Sequence, residues 1–215
     1  MPLPTPVRLY DQPMAPNPRR VNLFIAEKGL EIAREEVNLI KLEHRAEAYA
    51  GRAGASQLPA LELSDGTVLA ETQPICRYLE ALHPEPNMMG DGPLETARIE
   101  MWQRLVEFGL FAAVGSAFRH TNRHMAVLED QCADWGAVNL GRIDLRLAEL
   151  DRRLEGREWI VAGRLTVADI TALVAVDYLR VLRRSVPEEF GNVRAWHARW
   201  RERPSSRTGL REKSS

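Results

Sequence analysis

Residues 57–80 read QLPALELSDGTVLAETQPICRYLE, and the first half of the fold follows from them. Leu61, Leu63, Val68 and Ala70 flank the tetrapeptide Ser64-Asp65-Gly66-Thr67. An Asp-Gly pair between two short apolar runs predicts antiparallel strands joined by a tight turn. Beyond Glu71 and Thr72, Ile75, Leu79 and Leu82 recur at helical spacing, which turns Arg77 and Glu80 toward water. Thr72 stands where a helix N-cap is expected, beside backbone N–H groups that have no intrahelical partner. Such a helix end accepts a carboxylate, and the Glu71 side chain offers the opposite charge to an ammonium. The pair is either a receptor for a zwitterion or a capped helix with a solvent-facing acid. Its setting within the whole stretch favours the receptor.

Upstream, Val7, Leu9 and Tyr10 predict a first strand. Val21, Phe24 and Ile25 predict a helix opening near Pro16 and closing near Gly29, and residues 33–39 a second strand. The order is β-α-β followed by β-β-α, a thioredoxin-like layout. Residues 83–93, HPEPNMMGDGP, are rich in Pro, Gly and polar residues and predict a linker. Beyond it, Met101, Leu105, Phe108 and Phe111–Ala112 mark one face of a long helix from about Glu95. Ile143, Leu147, Leu150 and Leu154 mark another that ends at Gly156. Thr166 and Asp169 have capping-box spacing, with Leu165 and Ile170 at the hydrophobic-staple positions. The following ITALVAVDYL is apolar on most sides and is expected at the centre of its domain. The predicted fold class is α/β plus all-α. A thioredoxin-like domain covers 1–83, a linker 84–93, and a helical-bundle domain 94–215 that ends in a solvated, flexible tail from about Ser205.

The chain has 215 residues, room for one or two domains. A net charge of −1 and a pI near 6.5 give no electrostatic case for a nucleic-acid partner. The basic residues after Arg194 read as solvent-facing. Cys76 and Cys132 have no paired spacing, so a reducing, cytoplasmic compartment is expected, with Cys76 buried as a small hydrophobe. No apolar run approaches about 20 residues and MPLPTPVRLY lacks a signal core, which predicts no membrane association. His120 and His124 lie i, i+4 but lack a third ligand, so no metal site is expected.

The order hairpin, Glu-Thr, helix resembles the glutathione-binding half of the glutathione S-transferase family. The capping-box segment and NVRAWHARWRERPS resemble its helical domain, so the resemblance spans about residues 7–205. It implies that Pro59 follows a cis bond, that Leu58 offers its backbone to the cysteinyl part of glutathione, and that Glu71 and Thr72 hold the γ-glutamyl end. Residues 38–49, NLIKLEHRAEAY, resemble a pattern of bacterial and fungal members. Lys41 and His44 would then approach the glycyl carboxylate, or else remain helix-face charges. Ala53-Gly54-Ala55-Ser56 departs from the family's Asn-Pro-x-Gly. Glutathione as cosubstrate, a homodimer and a small electrophile are further implications. The electrophile would sit in a pocket walled by Met14, Phe108, Phe111 and Phe118, for which ordinary core packing is the alternative.

The family's catalytic serine or cysteine position falls on Ala15, which has neither hydroxyl nor thiol. Each unit of thiol pKa lowering from about 8.5 requires about 1.4 kcal/mol of thiolate stabilisation. A helix start contributes about 0.3–1 kcal/mol, and about 2 if sheltered. The substitutes are the N–H of Asn17 (Pro16 and Pro18 cannot donate), the charge of Arg19 or Arg20, Tyr10, or His120 holding a water or shuttling a proton. Against these stand an Arg19 paired with acids, a Tyr10 packed in the core and a His120 at a polar helix end. The expected function is a glutathione transferase with atypical thiol activation. The alternatives are a non-catalytic protein binding glutathione or apolar ligands, a glutathione-dependent isomerase or dehalogenase, and an interaction module.

Overall fold

The computed structural model describes residues 3–54 and 56–209. They form two compact units, one running to Pro86 and resuming at Arg207, the other Asn87–Ser206. The first unit contains β1 (Pro6–Asp11), α1 (Pro16–Glu27), β2 (Ala33–Glu36), α2 (Glu47–Ala53), β3 (Ala60–Leu63), β4 (Val68–Ala70) and α3 (Thr72–Leu82). Its sheet has the order β2-β1-β3-β4, with β1 parallel to β2 and antiparallel to β3. This is the thioredoxin-like arrangement of a β-α-β crossover and a β-β-α return. The hairpin turns where its residues require: Gly66 has φ +85°, open to glycine without cost, and Asp65 Oδ1 accepts the Thr67 N–H at 2.9 Å.

Leu9, Leu23, Phe24, Leu61, Ile75 and Leu79 make the buried centre of this unit. Glu80 departs from its expected exposure. Its Oε2 lies 2.6 Å from Lys28 Nζ, whose side chain is fully buried and also donates to the carbonyls of His83 (2.6 Å) and Pro86 (2.8 Å). A buried ammonium survives only with a counter-charge and acceptors, and this one finds them on α3 and the segment after it.

The second unit is helical: α4 (Gly92–Val106), a π-helical turn (Glu107–Phe111), α5 (Ala112–Thr121), α6 (Ala133–Leu154), α7 (Val167–Tyr178) and α8 (Gly191–Trp200). The single long helix expected from Glu95 is thus widened at its middle. Gly109 sits in that turn, where an added Cβ would lie 3.3 Å from the Arg146 side chain. Every residue of α7 from Val167 to Val176 is buried, as its all-round apolarity predicts.

The stretch expected to link the domains is divided between the two units. Lys28 holds its first carbonyls, whereas Arg164 donates to Asn87 O and Oδ1 and, in a fork, to both Glu95 oxygens at 2.6–2.8 Å. That bonding explains why the second unit begins at Asn87. The expected solvated tail also differs over 205–209. Ser205 is buried, Arg19 Nε donates to the Thr208 carbonyl at 2.9 Å, and Gly209 (φ +72°) approaches Pro13 so closely that a Cβ would lie 2.3 Å from its carbonyl oxygen. The rest of that tail, 210–215, lies outside the described residues, as does Ala55. No helix among the described residues is long and apolar enough to cross a membrane.

Candidate functional site

Strand pairing in the first unit gathers several chain ends at one edge. Tyr10 pairs with Ala60 and Ala60 with Ala70. The loop after β1, the Leu58–Pro59 bond before β3 and Glu71 after β4 therefore meet at the same end of the sheet. Asp11 pairs with Glu36 there, and Gln12 Oε1 accepts the Leu39 N–H at 3.0 Å, which ties in the 37–44 segment. Both α1 and α3 start at this end, so two helix N-termini contribute partial positive charge.

The Leu58–Pro59 bond is cis. The Leu58 side chain belongs to a buried cluster with Tyr10, Val37, Tyr49, Ala53 and Ala60. Its own N–H and carbonyl accept and donate nothing among the described residues. A main chain whose side chain is anchored and whose polar groups are unspent can pair with another peptide.

Glu71 has φ +71° and ψ 139°, a region that glycine occupies and other residues enter at a cost of about 1–3 kcal/mol. It is exposed, and its carboxylate has no partner among the described residues. Glu71, rather than Thr72, is the N-cap residue of α3, and Thr72 is buried as its first helical residue. The Glu71 carbonyl accepts the Ile75 N–H at 3.2 Å, which starts the helix directly behind the twisted residue. In the first turn, Thr72 and Gln73 carry N–H groups and Pro74 carries none. Gln73 Nε2 is buried and without a hydrogen bond, a donor beside the site that the sequence reading did not single out. Only its place directly after Glu-Thr could have signalled it.

At the other helix, Ala15 is the N-cap of α1; its N–H donates to Gln12 O at 2.8 Å, and no side chain caps the helix. Between Pro16 and Pro18, Asn17 alone can offer a backbone N–H, while its Oδ1 accepts from Arg20 at 3.2 Å. Three expected participants are committed elsewhere. The Tyr10 hydroxyl donates to Glu62 (2.7 Å) and accepts from Arg52 (2.9 Å), and its ring meets Tyr49 edge-on. Arg19 is buried under the 208–209 segment that it binds. His44 is buried with Nδ1 unpartnered, and burial, followed by the charge of Arg45, pushes its pKa down. Both effects disfavour the cationic form that a role beside a carboxylate would need. Lys41 is exposed and its ammonium unpaired among the described residues.

In the second unit, His120 Nδ1 accepts the Cys132 N–H at 3.1 Å, which leaves the ring proton on Nε2 as a donor. Cys132 is exposed and Cys76 buried, and neither forms a disulfide.

Residues 15–82 match the model of the glutathione S-transferase N-terminal domain, and residues 137–204 that of the C-terminal domain. Glutathione S-transferase 2 of Saccharomyces cerevisiae is 31% identical over 213 residues, covering 96% of this chain and 91% of the yeast protein. A maleylacetoacetate isomerase of Pseudomonas aeruginosa is 27% identical over 76% of this chain and 77% of its own length. The crystal structure of a glutathione S-transferase domain-containing protein from Marinobacter aquaeolei VT8 superposes with a TM-score of 0.89 at 33% identity, covering 93% of this chain and all of that one. With near-complete coverage, two matching domain models and the thioredoxin-like and helical units already described, the chain belongs to the glutathione S-transferase family.

Proposed function

We propose that this protein transfers glutathione to small electrophiles and binds it at the sheet end formed by Leu58, Pro59, Glu71 and Thr72. The observation that carries this reading is the unspent bonding capacity there: Leu58 main chain, Glu71 carboxylate and the start of α3. Leu58 pairs with the cysteinyl residue, Glu71 takes the α-ammonium, and the Thr72 and Gln73 N–H groups take the α-carboxylate. Lys41 is the cation available to the glycyl carboxylate. The sulfur then lies toward the start of α1, where the Asn17 N–H and the helix dipole stabilise the thiolate. The thiol proton passes to solvent, and the thiolate attacks an electrophilic carbon; as the C–S bond forms, a leaving group departs with its bonding pair, or the π pair of an activated double bond shifts to the acceptor end and takes a proton from water. Positioning supplies much of the rate, since the nucleophile is already ionised and held. Two cysteines outside any disulfide and no membrane-spanning helix among the described residues suit the cytoplasm.

Calorimetric titration with reduced glutathione is expected to saturate at one molecule per chain. Absence of binding at millimolar concentration would sink the transferase reading. Ala15→Ser is expected to leave glutathione affinity nearly unchanged while lowering the bound thiol pKa by about one unit, since one charge-assisted hydrogen bond is added. Thiolate absorbance against pH measures this; an unchanged pKa would mean that residue 15 does not face the sulfur. A second reading, glutathione-dependent isomerisation, draws on the Pseudomonas relative. In that case glutathione is regenerated rather than consumed.

We also propose a homodimer formed through the outer face of the helical unit. Leu94, Met101 and Leu105 on α4, Phe108 in the π-helical turn, and Trp135, Val138 and Leu145 on α6 are all at least 43% exposed. Large apolar side chains left exposed in this number mark an interface. Phe108, 69% exposed, is assigned to that face rather than to an electrophile pocket. Light scattering should give twice the 24.3 kDa chain mass. Leu105→Glu with Phe108→Glu should return it to one chain, and a wild-type monomer would overturn the proposal.

A further inference from the structure

The C-terminal end of α7, the turn after it and α8 border an open cavity of about 670 Å³ on the surface of the helical unit. Arg180, Arg184, Arg194, His197 and Arg201 line it, and Asp177 is its single acid. Arg194 and His197 on α8 and Arg201, its C-cap residue, are spaced i, i+3 and i+7 with Arg201 still in helical conformation, so one face presents all three. The sequence reads these positions as solvated charge; the turn over 179–186 instead folds two further arginines opposite them.

The charges there are not balanced. Asp177 Oδ1 is 2.7 Å from His197 Nε2, so the single acid is engaged by a hydrogen bond at the wall. Arg184 pairs with Asp144 and donates to the Leu140 carbonyl. The guanidinium groups of Arg180, Arg194 and Arg201 make no hydrogen bond or ion pair with any described residue. Three unmatched guanidinium groups around one concavity are unexpected in a chain whose net charge is −1. Guanidinium forks fit the paired oxygens of phosphate and carboxylate, and neighbouring forks fit a ligand with neighbouring anionic groups. The volume suits one small molecule, and alanine and valine side chains between the arginines offer contact to its uncharged part. No aromatic platform lines the cavity, which argues against a single-stranded nucleic acid.

We infer that this cavity binds a small molecule with clustered oxyanions, either phosphate groups or carboxylates. The inference does not depend on glutathione binding in the first unit, and the failure of one leaves the other standing.

Calorimetry of the full chain at about 0.15 M ionic strength, with pyrophosphate in one arm and citrate in the other, tests it. One saturable site per chain is expected. The tighter probe assigns the ligand to phosphorylated compounds or to polycarboxylates. Arg194→Ala with Arg201→Ala, both exposed and so compatible with folding, should weaken that probe at least about tenfold, as expected for losing two charge-assisted contacts. Arg98→Ala with Arg123→Ala, exposed on other elements, should change it less than about twofold, since bulk charge is screened. No saturation up to about 10 mM of either probe, far weaker than a built site requires, would overturn the inference. Equal losses in the two double variants would overturn it as well.

Discussion

Replacing Glu71 with Gly is expected to stabilise the protein while removing glutathione binding. Glu71 is held at φ +71° and ψ 139°, where a Cβ costs about 1–3 kcal/mol. Glycine removes that cost but adds freedom to the unfolded chain, worth about 0.4–1 kcal/mol against it. A net gain of about 1 kcal/mol remains, read as a thermal midpoint about 2–4 °C higher. Glu71→Gln separates charge from backbone. It keeps the twisted conformation and loses the counter-charge to the α-ammonium. A hydrogen bond to a charged group contributes about 1.5–3 kcal/mol, so glutathione affinity should fall by about 10–100-fold. A Gln variant that binds like wild type would show that Glu71 does not touch the ligand. A Gly variant no more stable than wild type would show that the residue is not strained. The opposite signs of the two effects distinguish a ligand-binding residue from a structural one.

Asp169→Ala should destabilise the helical unit by about 3–5 kcal/mol, the largest loss expected from one side chain. Its carboxylate is fully buried and accepts four hydrogen bonds: Ile160 N–H (2.9 Å), Trp196 Nε1 (3.2 Å), and the Thr166 N–H (3.0 Å) and hydroxyl (2.9 Å). Burial pushes its carboxyl up to about 6, against those donors, so the group is ionised at pH 7 and depends on all of them. Removing it orphans the buried Ile160 N–H and Trp196 indole at about 1–3 kcal/mol each, and loses a helix cap worth about 1 kcal/mol. In a chain of this size the thermal midpoint should drop by about 10 °C. Circular dichroism measures it, and Trp196 fluorescence should report the same transition. A drop below about 3 °C would show that the network carries little of the unit's stability.

These two residues differ in how readable they are. Asp169 was legible as a capping box because Thr166 and Asp169 lie three residues apart, and local spacing sets their contact. Its bonds to Ile160 and Trp196 were not legible, because they depend on where α8 and the preceding loop pack. Glu71 was legible as a charge before a helix, through the hairpin and the helical period around it. Its positive φ, and its place as N-cap instead of Thr72, were not. They follow from fitting β4 to β3 and α3 to the sheet at once. The partners of other polar side chains were illegible for a common cause. Glu80 found Lys28, Arg19 found Thr208, Tyr10 found Glu62 and Arg52, and His44 was buried. Apart from His44, each of those partners lies 42 or more residues away in sequence.

The sequence alone determined the Asp-Gly hairpin, the helical period of α3, α6 and α7, the thioredoxin-like order of elements and the absence of a hydroxyl at Ala15. Each is a property of neighbouring residues, set by turn chemistry, side-chain period or identity. Tertiary structure alone decided which charges are spent and which remain for a ligand. The unpaired Leu58 main chain, the free Glu71 carboxylate and the three unmatched arginines beside α8 are what is left after long-range pairing is complete. That remainder is where binding is proposed, because a polar group already matched inside the protein has little to gain from a ligand.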